Sequence, residues 1–205
     1  MIPPMNHRLI SILSPAYAPC RGFAEECLEM RWRPDQGHVP RGFYGASGNL
    51  EEVEVVIVAA EPGDPHGLER HTGLESAYKY AWQCFENGKD LYHRNFRYFL
   101  NLCFPNTTFY EQMKKVWLTE SVLCSAPVET GPVRSKVAEY CIKRYLLAQL
   151  RLFPNAKVVA FGGKAQSRLK GKVPFLSARA LAPPGCNHKG SRESWQQVAE
   201  MIRAI

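Results

Sequence analysis

The chain has no run of apolar residues long enough to cross a membrane. None of its 205 residues belongs to a stretch approaching the roughly 18 consecutive apolar residues of a spanning helix. Residues 1–14 lack the basic start, apolar segment and small-residue cleavage site of a secretory signal. Low-complexity and fibrous patterns are absent too. These absences predict one cytoplasmic, monomeric globular domain over residues 1–205, with no membrane partner.

Disulfide chemistry is disfavoured as well. The seven cysteines are an odd number for a chain expected inside the cell, so they predict reduced thiols or metal ligands.

Positive charge, by contrast, is in excess. A net charge of +7 and a pI near 9.1 indicate an anionic partner, with nucleic acid the leading candidate, although an ordinary solvated surface also explains them.

Apolar runs and helical periodicities alternate along the chain. Strands are predicted at residues 53–60, 115–123, 157–161 and 175–181. Helices are predicted at residues 23–31, 73–87, 91–102, 135–152, 164–169 and 191–205. Residues 1–22, rich in proline and turn formers, are predicted to be irregular. The alternation predicts an α/β fold, a three-layer α/β/α sandwich around a four-stranded, mostly parallel sheet.

The turn after the first predicted strand carries a carboxylate. The strand predicted at residues 53–60 has a near-continuous β-branched run, which is typical of a strand covered on both faces, and Pro62 and Gly63 end it. The run consists of Val53, Val55, Val56, Ile57 and Val58. Open α/β sheets bind ligands outside the carboxyl ends of their strands. Glu61 is therefore placed to meet a substrate, although a solvated turn acid explains the same residues.

Four segments support a more specific interpretation. They read Val-Ala-Ala-Glu-Pro-Gly at 58–63, Trp-Leu-Thr-Glu-Ser-Val-Leu-Cys at 117–124, Cys141 followed by Tyr-Leu-Leu-Ala-Gln-Leu-Arg-Leu at 145–152, and Val-Val-Ala-Phe-Gly-Gly-Lys-Ala at 158–165. In this order they resemble the uracil-DNA glycosylase superfamily, especially its thermostable iron–sulfur branch, from about Cys27 to the C-terminus. The resemblance implies an enzyme that flips a base out of DNA and breaks its N-glycosidic bond.

The resemblance implies a catalytic acid but not the usual histidine. Glu61 falls where the superfamily's first motif carries an acid that stabilises the oxocarbenium-like sugar and orients water. At the second motif, related enzymes read His-Pro-Ser or His-Pro-Ala, whereas this chain has Ala-Pro-Pro at 182–184. His188, preceded by Asn187, could supply the imidazole from an extended loop, or could be an exposed loop histidine.

The positions that would read the base also differ from the family pattern. Glu120 replaces an asparagine; an ionised carboxylate only accepts hydrogen bonds, which suits the amino group of cytosine, whereas a protonated one could donate. A glutamate facing solvent or pairing with an arginine is the alternative. Gly63 replaces the bulky tyrosine of the classical enzymes and permits a 5-substituted base. Ala60 replaces a polar residue of the first motif.

Cofactor and DNA contacts are implied in the same way. Cys124 and Cys141 match two iron–sulfur ligands of that branch, and Cys27 aligns with a third. A 4Fe–4S cluster then requires Cys20 as the fourth ligand. The branch has a Cys-x-x-Cys pair at this place, whereas six residues separate Cys20 from Cys27 here. Buried free cysteines are the alternative. Phosphate contacts are expected from a basic group in the C-terminal third, in particular from Lys164, Arg168, Lys189 and Arg192.

The function expected from these residues is that of a DNA glycosylase that excises a modified base. The favoured base is a 5-substituted cytosine, hydroxymethylated or glucosylated, with an abasic site left behind, in defence against phage or in repair. A uracil-DNA glycosylase of base-excision repair and a non-catalytic DNA-binding module of the same fold are the alternatives. Nucleotide binding at Gly162 and Gly163 is weaker, because the phosphate-loop spacing is missing.

Overall fold

The computed structural model describes residues 2–204, so the predicted limits at Met1 and Ile205 lie outside it. The chain has a mixed α/β fold, as predicted. Its strands are β1 (Tyr44–Gly45), β2 (Val55–Ala59), β3 (Val116–Glu120), β4 (Lys157–Phe161) and β5 (Leu176–Ala178). They form one five-stranded sheet in the order β1-β3-β2-β4-β5. The sheet therefore has one strand more than the four that were predicted, because β1 was not predicted from the sequence.

The additional strand is short and lies at the sheet edge. Tyr44 pairs with Leu118 and Gly45 with Trp117, and this is the antiparallel pairing, whereas the other three pairings are parallel. A two-residue strand carries no periodicity, so the sequence pattern could not reveal it.

Eight α-helices surround the sheet within the described residues. They are α1 (His7–Leu13), α2 (Leu74–Asn87), α3 (Leu91–Cys103), α4 (Phe109–Lys115), α5 (Ser135–Cys141), α6 (Leu147–Leu150), α7 (Gly163–Leu169) and α8 (Ser191–Arg203). A π-helical turn, Ile142–Leu146, joins α5 to α6. Short 3-10 turns lie at Ser14–Tyr17, Arg21–Ala24, Pro34–Gln36, Leu50–Glu52 and Gly185–Asn187. None of the helices in residues 2–204 has the length and apolarity to span a bilayer.

Helices cover both faces of the sheet. On one face, the indole N–H of Trp117 donates to Gln149 of α6 at 3.0 Å. On the other, Phe161 packs edge-to-face on Phe99 of α3, with ring centroids 4.9 Å apart. Side chains of a strand alternate between faces, so the uniformly buried β2 and β3 need cover on both sides.

The N-terminal region differs from its predicted structure. Residues 1–22 were expected to be irregular, but α1 lies among them, with the Asn6 side chain accepting a hydrogen bond from Arg8 N at 2.9 Å. Leu9 and Leu13 of α1 are fully buried, so tertiary packing stabilises this short helix. Residues 23–31 were expected to be helical and instead form turns that bury Cys27 and Met30.

Candidate functional site

Two carboxyl groups lie at the carboxyl ends of neighbouring parallel strands. Glu120 is the last residue of β3 and the register partner of Ala59, the last residue of β2. Glu61 lies two residues after Ala59. The chain continues pairing beyond the strands, since Ser121 N donates to Ala59 O at 2.9 Å. Both candidate acids therefore occupy the edge at which open α/β sheets bind ligands.

Glu61 is buried and paired with two cations. Its side chain is 6% exposed; Lys164 Nζ contacts Oε1, and Arg168 Nη1 lies 2.6 Å from Oε2. Both basic residues lie on α7, which begins directly after β4. Lys164 also donates to Thr130 O at 3.0 Å and Gly131 O at 2.6 Å, so its three N–H groups are used within the protein. Without both cations, the buried charge of Glu61 would be uncompensated.

Arg168 holds Glu61 by charge rather than by a well-directed hydrogen bond. Its Nη1 donates to Ala60 O at 2.8 Å and to Ser121 Oγ at 3.0 Å. Those two contacts use the hydrogens of this nitrogen, and Glu61 Oε2 has no hydrogen-bond partner among the described residues. This carboxylate oxygen is therefore in an ion pair with Arg168 but accepts no directed hydrogen bond from the described residues.

The segment after Glu61 is tied down on several sides. Gly63 O accepts hydrogen bonds from Arg41 and from Ser125, the latter at 3.0 Å. Asp64 forms a two-point ion pair with Arg31, and its N–H donates to Glu129 Oε1 at 2.9 Å. A Cβ at residue 63 would lie 2.9 Å from the same Glu129 oxygen. A carboxylate, not open space, therefore lies beside Gly63.

Glu120 is the more deeply buried of the two acids. It is 5% exposed, and its Oε2 has no hydrogen-bond partner in the described structure. Burial and the nearby Glu61 raise its pKa well above the usual range, against the opposing charges of Arg168 and Arg41. These surroundings favour the protonated form of Glu120, which offers a donor as well as an acceptor. This differs from the acceptor-only carboxylate on which the cytosine prediction relied.

Close neighbours of Glu120 were not predicted from the sequence. A Cβ on Gly42 would lie 2.6 Å from Glu120 Cγ, so only glycine fits there. Tyr92, near the start of α3, has a buried hydroxyl without a hydrogen-bond partner among the described residues, and burial followed by the charge of Glu120 raises its pKa. The Arg41 side chain is 11% exposed, and Glu120 is among the carboxyl groups whose charge acts on its pKa. These residues stand in segments without a recognisable motif, so no sequence signal marked them.

The loop that was expected to supply a histidine lies on the surface. His188 is exposed, and its Nδ1 accepts a hydrogen bond from Gly190 N at 3.1 Å. Asn187 and Lys189 lie in the same surface loop, and Arg192 lies over the ring of Tyr98. Among the described contacts, none joins this loop to Glu61. Its role in catalysis or in DNA binding stays a prediction.

A basic groove of about 600 Å³ adjoins the Glu61 ion pairs. Lys164, Arg168 and Lys172 contribute to it from α7 and the residues that follow, and Val133 and Glu139 also line it. Lys172 pairs with Glu139 at 3.2 Å. Since Lys164 and Arg168 are engaged by Glu61, their first role is to hold that carboxylate, and phosphate binding would be additional.

The four cysteines singled out in the sequence approach one another. Cys20 and Cys27 come from the N-terminal turns, Cys124 follows β3, and Cys141 ends α5; all four are buried and reduced. Burial and then the neighbouring thiols raise the pKa of Cys27 and of Cys141 to about 12, and that of Cys124 well above its usual value. No group of three or more His, Cys, Asp or Glu side chains in residues 2–204 is arranged around a single metal ion.

The chain was also compared with known proteins. No protein-family model matches it, and no curated protein matches it at a significant level. The fold and the geometry of the site are therefore the observations from which a function can be inferred.

Proposed function

We propose that this protein is a DNA glycosylase of the uracil-DNA glycosylase superfamily that excises a modified pyrimidine. The observation that carries the proposal is the pair of buried carboxyl groups at the ends of β2 and β3, each with an oxygen that lacks a hydrogen-bond partner among the described residues, although Arg168 Nη1 lies 2.6 Å from that of Glu61. Buried polar groups are almost always hydrogen-bonded, so a set of unpaired ones at a strand edge supports a polar ligand there.

Glu61 is suited to the sugar side of the reaction. Breaking an N-glycosidic bond develops positive charge on the sugar, and a fixed carboxylate stabilises that charge without reorganising. Lys164 and Arg168 fix Glu61, and its Oε2, which pairs with Arg168 without a directed hydrogen bond, would accept one from the attacking water. With one carboxylate positioning the water and stabilising the charge, hydrolysis of the N-glycosidic bond would leave an abasic site.

Glu120 is suited to the base side. A protonated carboxyl group has one donor and one acceptor, the same set as the asparagine amide that it replaces. It can accept from the amino group of cytosine while donating to the ring nitrogen beside it. It can equally pair with uracil, and this supports uracil as the second candidate base. Glu120 by itself therefore does not choose between the two.

The surroundings of Gly63 favour a substituted base. Glu129 places an acceptor beside Gly63, where the classical enzymes carry an aromatic wall against 5-substituents. A hydroxymethyl or sugar substituent brings hydroxyl donors that a carboxylate can bind, whereas a bare methyl group does not. This favours cytosines with a hydroxylated 5-substituent. Such bases occur in bulk in modified phage DNA, so defence against phage is the proposed context.

A 4Fe–4S cluster belongs to the same proposal. Cys20, Cys27, Cys124 and Cys141 would hold it as thiolates, and their shared burial next to one another fits four ligands. A cluster separates its ligands more widely than a single ion does, which is consistent with the lack of a single-ion site in residues 2–204. When bound, it would cross-link the N-terminal turns to the segment after β3 and to α5.

The first test is excision from DNA duplexes that carry one defined base each. We expect the wild-type protein to create alkali-labile sites at 5-hydroxymethylcytosine or its glucosylated form. We expect Glu61→Gln to lower the excision rate by about 10²- to 10⁴-fold while DNA affinity is retained, because the amide cannot stabilise positive charge. Single-turnover cleavage and fluorescence anisotropy measure the two quantities.

The control is Glu139→Gln, which removes an exposed carboxylate from the rim of the basic groove and should leave excision unchanged. A wild-type protein that binds DNA but excises no base would contradict catalysis and favour the non-catalytic binding module. Efficient release of uracil alone would establish the second candidate and exclude the substituted base.

A further inference from the structure

The basic groove that adjoins Glu61 has an excess of positive charge. Its volume is about 600 Å³, and its walls come mainly from α5 and α7. The charged side chains that line it are three cations, Lys164, Arg168 and Lys172, and one carboxylate, Glu139. A second groove, of about 340 Å³, has the opposite balance, with three glutamates and two lysines along its walls. Of these two grooves, the one beside Glu61 is suited to an anion.

Each acid at the basic groove is shared by two cations. Glu139 pairs with Lys143 and with Lys172, each at 3.2 Å. Glu61 pairs with the two cations of α7 described above. One cation is enough to neutralise one carboxylate, so each set has one cation more than its acid requires. The groove therefore keeps positive charge after its internal ion pairs have formed.

Arg168 has donors left for a ligand. Every hydrogen bond that it donates to a described residue comes from Nη1, to Ala60 O and to Ser121 Oγ, and the same nitrogen lies 2.6 Å from Glu61 Oε2. The N–H groups of Nε and Nη2 therefore have no acceptor among the described residues. The side chain also lines the groove. A guanidinium held through one nitrogen can present the other two to a phosphate, with two parallel hydrogen bonds.

The two lysines of the groove differ in the donors that they have left. Lys164 uses its three N–H groups within the protein. Lys172 contacts a single acceptor among the described residues. The hydroxyls of Ser135 and Ser167 also line the groove, and serine hydroxyls commonly contact phosphates in DNA complexes. The spare charged donors are therefore those of Arg168 and Lys172.

We propose that the basic groove binds the phosphodiester backbone of the DNA strand that carries the excised base, with Arg168 between Glu61 and a phosphate and Lys172 on the same backbone. This proposal rests on the proposed function for the identity of the strand. DNA offers a row of phosphates to such a row of donors, whereas a single small anion would occupy one of them. Because Arg168 touches the candidate catalytic acid, its phosphate would lie next to the reacting nucleotide.

The first test measures DNA affinity against salt concentration by fluorescence anisotropy. We expect Lys172→Gln to weaken binding by about three- to tenfold for every sequence, and to reduce the slope of log K against log salt by about one. Lys114→Gln is the matched control, since it removes the same charge from the acid-rich groove and should bind as wild type does. Equal losses in the two variants would indicate a general charge effect and overturn the proposal.

Gly163 allows the groove to be altered without removing a charge. It is exposed at the start of α7, and a Cβ there would meet no described atom within 4 Å. Gly163→Glu places a carboxylate in the groove and should weaken DNA binding, whereas Gly163→Gln, of the same size, should retain most of the affinity. Glu139→Gln removes the acid that competes for Lys172, so it should tighten binding while the single-turnover rate at saturating DNA stays unchanged. The reverse order of affinities would contradict the proposal.

Neutral methylphosphonate linkages at single positions of the DNA strand locate the contact. We expect those that flank the excised base to weaken wild-type binding by about three- to tenfold, and to weaken Lys172→Gln less, because a neutral linkage has no charge for the missing lysine to contact. Equal losses in wild type and Lys172→Gln at every position would place Lys172 away from the backbone and overturn its role.

The groove and the proposed function fail in different ways. Excision by wild type, with unchanged affinity and salt slope in Lys172→Gln and Gly163→Glu, would overturn the groove while the glycosylase function stands. DNA binding that responds to these variants as expected, without excision of any base, would support the groove and contradict the glycosylase. Polyglutamate binding that Lys172→Gln abolishes while DNA binding is kept would identify an acidic protein segment as the occupant and overturn the proposal. The same result with deoxycytidine monophosphate would identify a free nucleotide and also overturn it.

Discussion

At the scale of single residues, the two acids of the candidate site differ in how their charge is paired. Glu61 is paired with Lys164 and Arg168, whereas Glu120 has no cation in direct contact among the described residues and its pKa is raised by burial and by Glu61. Two acids at neighbouring strand ends thus have different electrostatic surroundings. In the proposed reaction, one would stabilise positive charge and the other would donate a hydrogen bond.

The protonation of Glu120 has a consequence for stability. Its pKa is raised in the folded state, so its contribution to the free energy of unfolding is fully present below the unfolded pKa, about 4.3. The contribution is lost as pH rises from there through the folded pKa, by roughly 1 to 1.5 kcal/mol per pH unit. Glu120→Gln removes this titration. We expect the variant to gain stability relative to wild type as the pH is raised from about 5 to about 8, measured by urea unfolding.

Matched unfolding curves with Glu139→Gln, whose carboxylate is exposed, provide the control. An identical pH dependence in wild type and Glu120→Gln would contradict a buried protonated acid. Retained excision by Glu120→Gln, with loss in Glu120→Ala, would agree with the donor–acceptor pair assigned to this position.

At the scale of elements, glycines allow β1 to approach the sheet. Gly45 has a φ of +103°, and a Cβ there would lie 2.1 Å from Val116 O. Because that contact is with backbone, the neighbour cannot move aside without disturbing the start of β3. The edge strand and the turn that carries Gly42 beside Glu120 therefore depend on the absence of side chains.

We expect Gly45→Ala to lower the free energy of unfolding by about 3 kcal/mol or more, through the clash and the positive φ together. Gly171→Ala is the matched control: Gly171 also has a positive φ, +75°, but a Cβ there would meet no described atom within 4 Å. It should lose only about 1 kcal/mol. Chemical denaturation of both variants measures the difference, and equal losses would show that the backbone approach at β1 does not matter.

At the scale of the whole molecule, the four cysteines link distant parts of the chain. Cys20 and Cys27 belong to turns that precede the sheet, and Cys124 and Cys141 flank the segment that follows β3. Leu123 N donates to Cys141 Sγ at 3.4 Å, so this region is packed before any cofactor is considered. A bound cluster would add a cross-link between the N-terminal turns and the core.

We expect protein isolated without oxygen to contain iron and sulfide and to absorb in the visible range. Cys124→Ser should lose both the iron and the colour, and its melting temperature should fall to that of chelator-treated wild type, because a ligand bound at about a hundred times its Kd contributes about 2.7 kcal/mol. Cys186→Ser, at a cysteine outside the group of four, should keep the cluster. Colourless, iron-free wild type with an unchanged melting temperature in Cys124→Ser would favour four free thiols.

Local pattern was sufficient for most of the elements. The helices predicted at residues 73–87 and 91–102 agree with α2 and α3, and the strand predicted at residues 157–161 matches β4. These segments have clear periodicity or a continuous β-branched run, and the pattern depends only on neighbours in the chain. By the same reasoning, the position of Glu61 after a buried strand could be predicted from residues 53–63.

Tertiary structure alone decided the partners and the protonation of the site. Lys164 and Arg168 were expected to bind phosphate, but folding brings them to Glu61, about a hundred positions earlier in the chain. The burial that raises the pKa of Glu120 and the approach of the four cysteines likewise arise between distant segments. The amino-acid sequence by itself determined most of the α/β elements and the acid at the strand end. The charge pairing and the desolvation of these side chains depend on which atoms meet in space, so they follow from the fold.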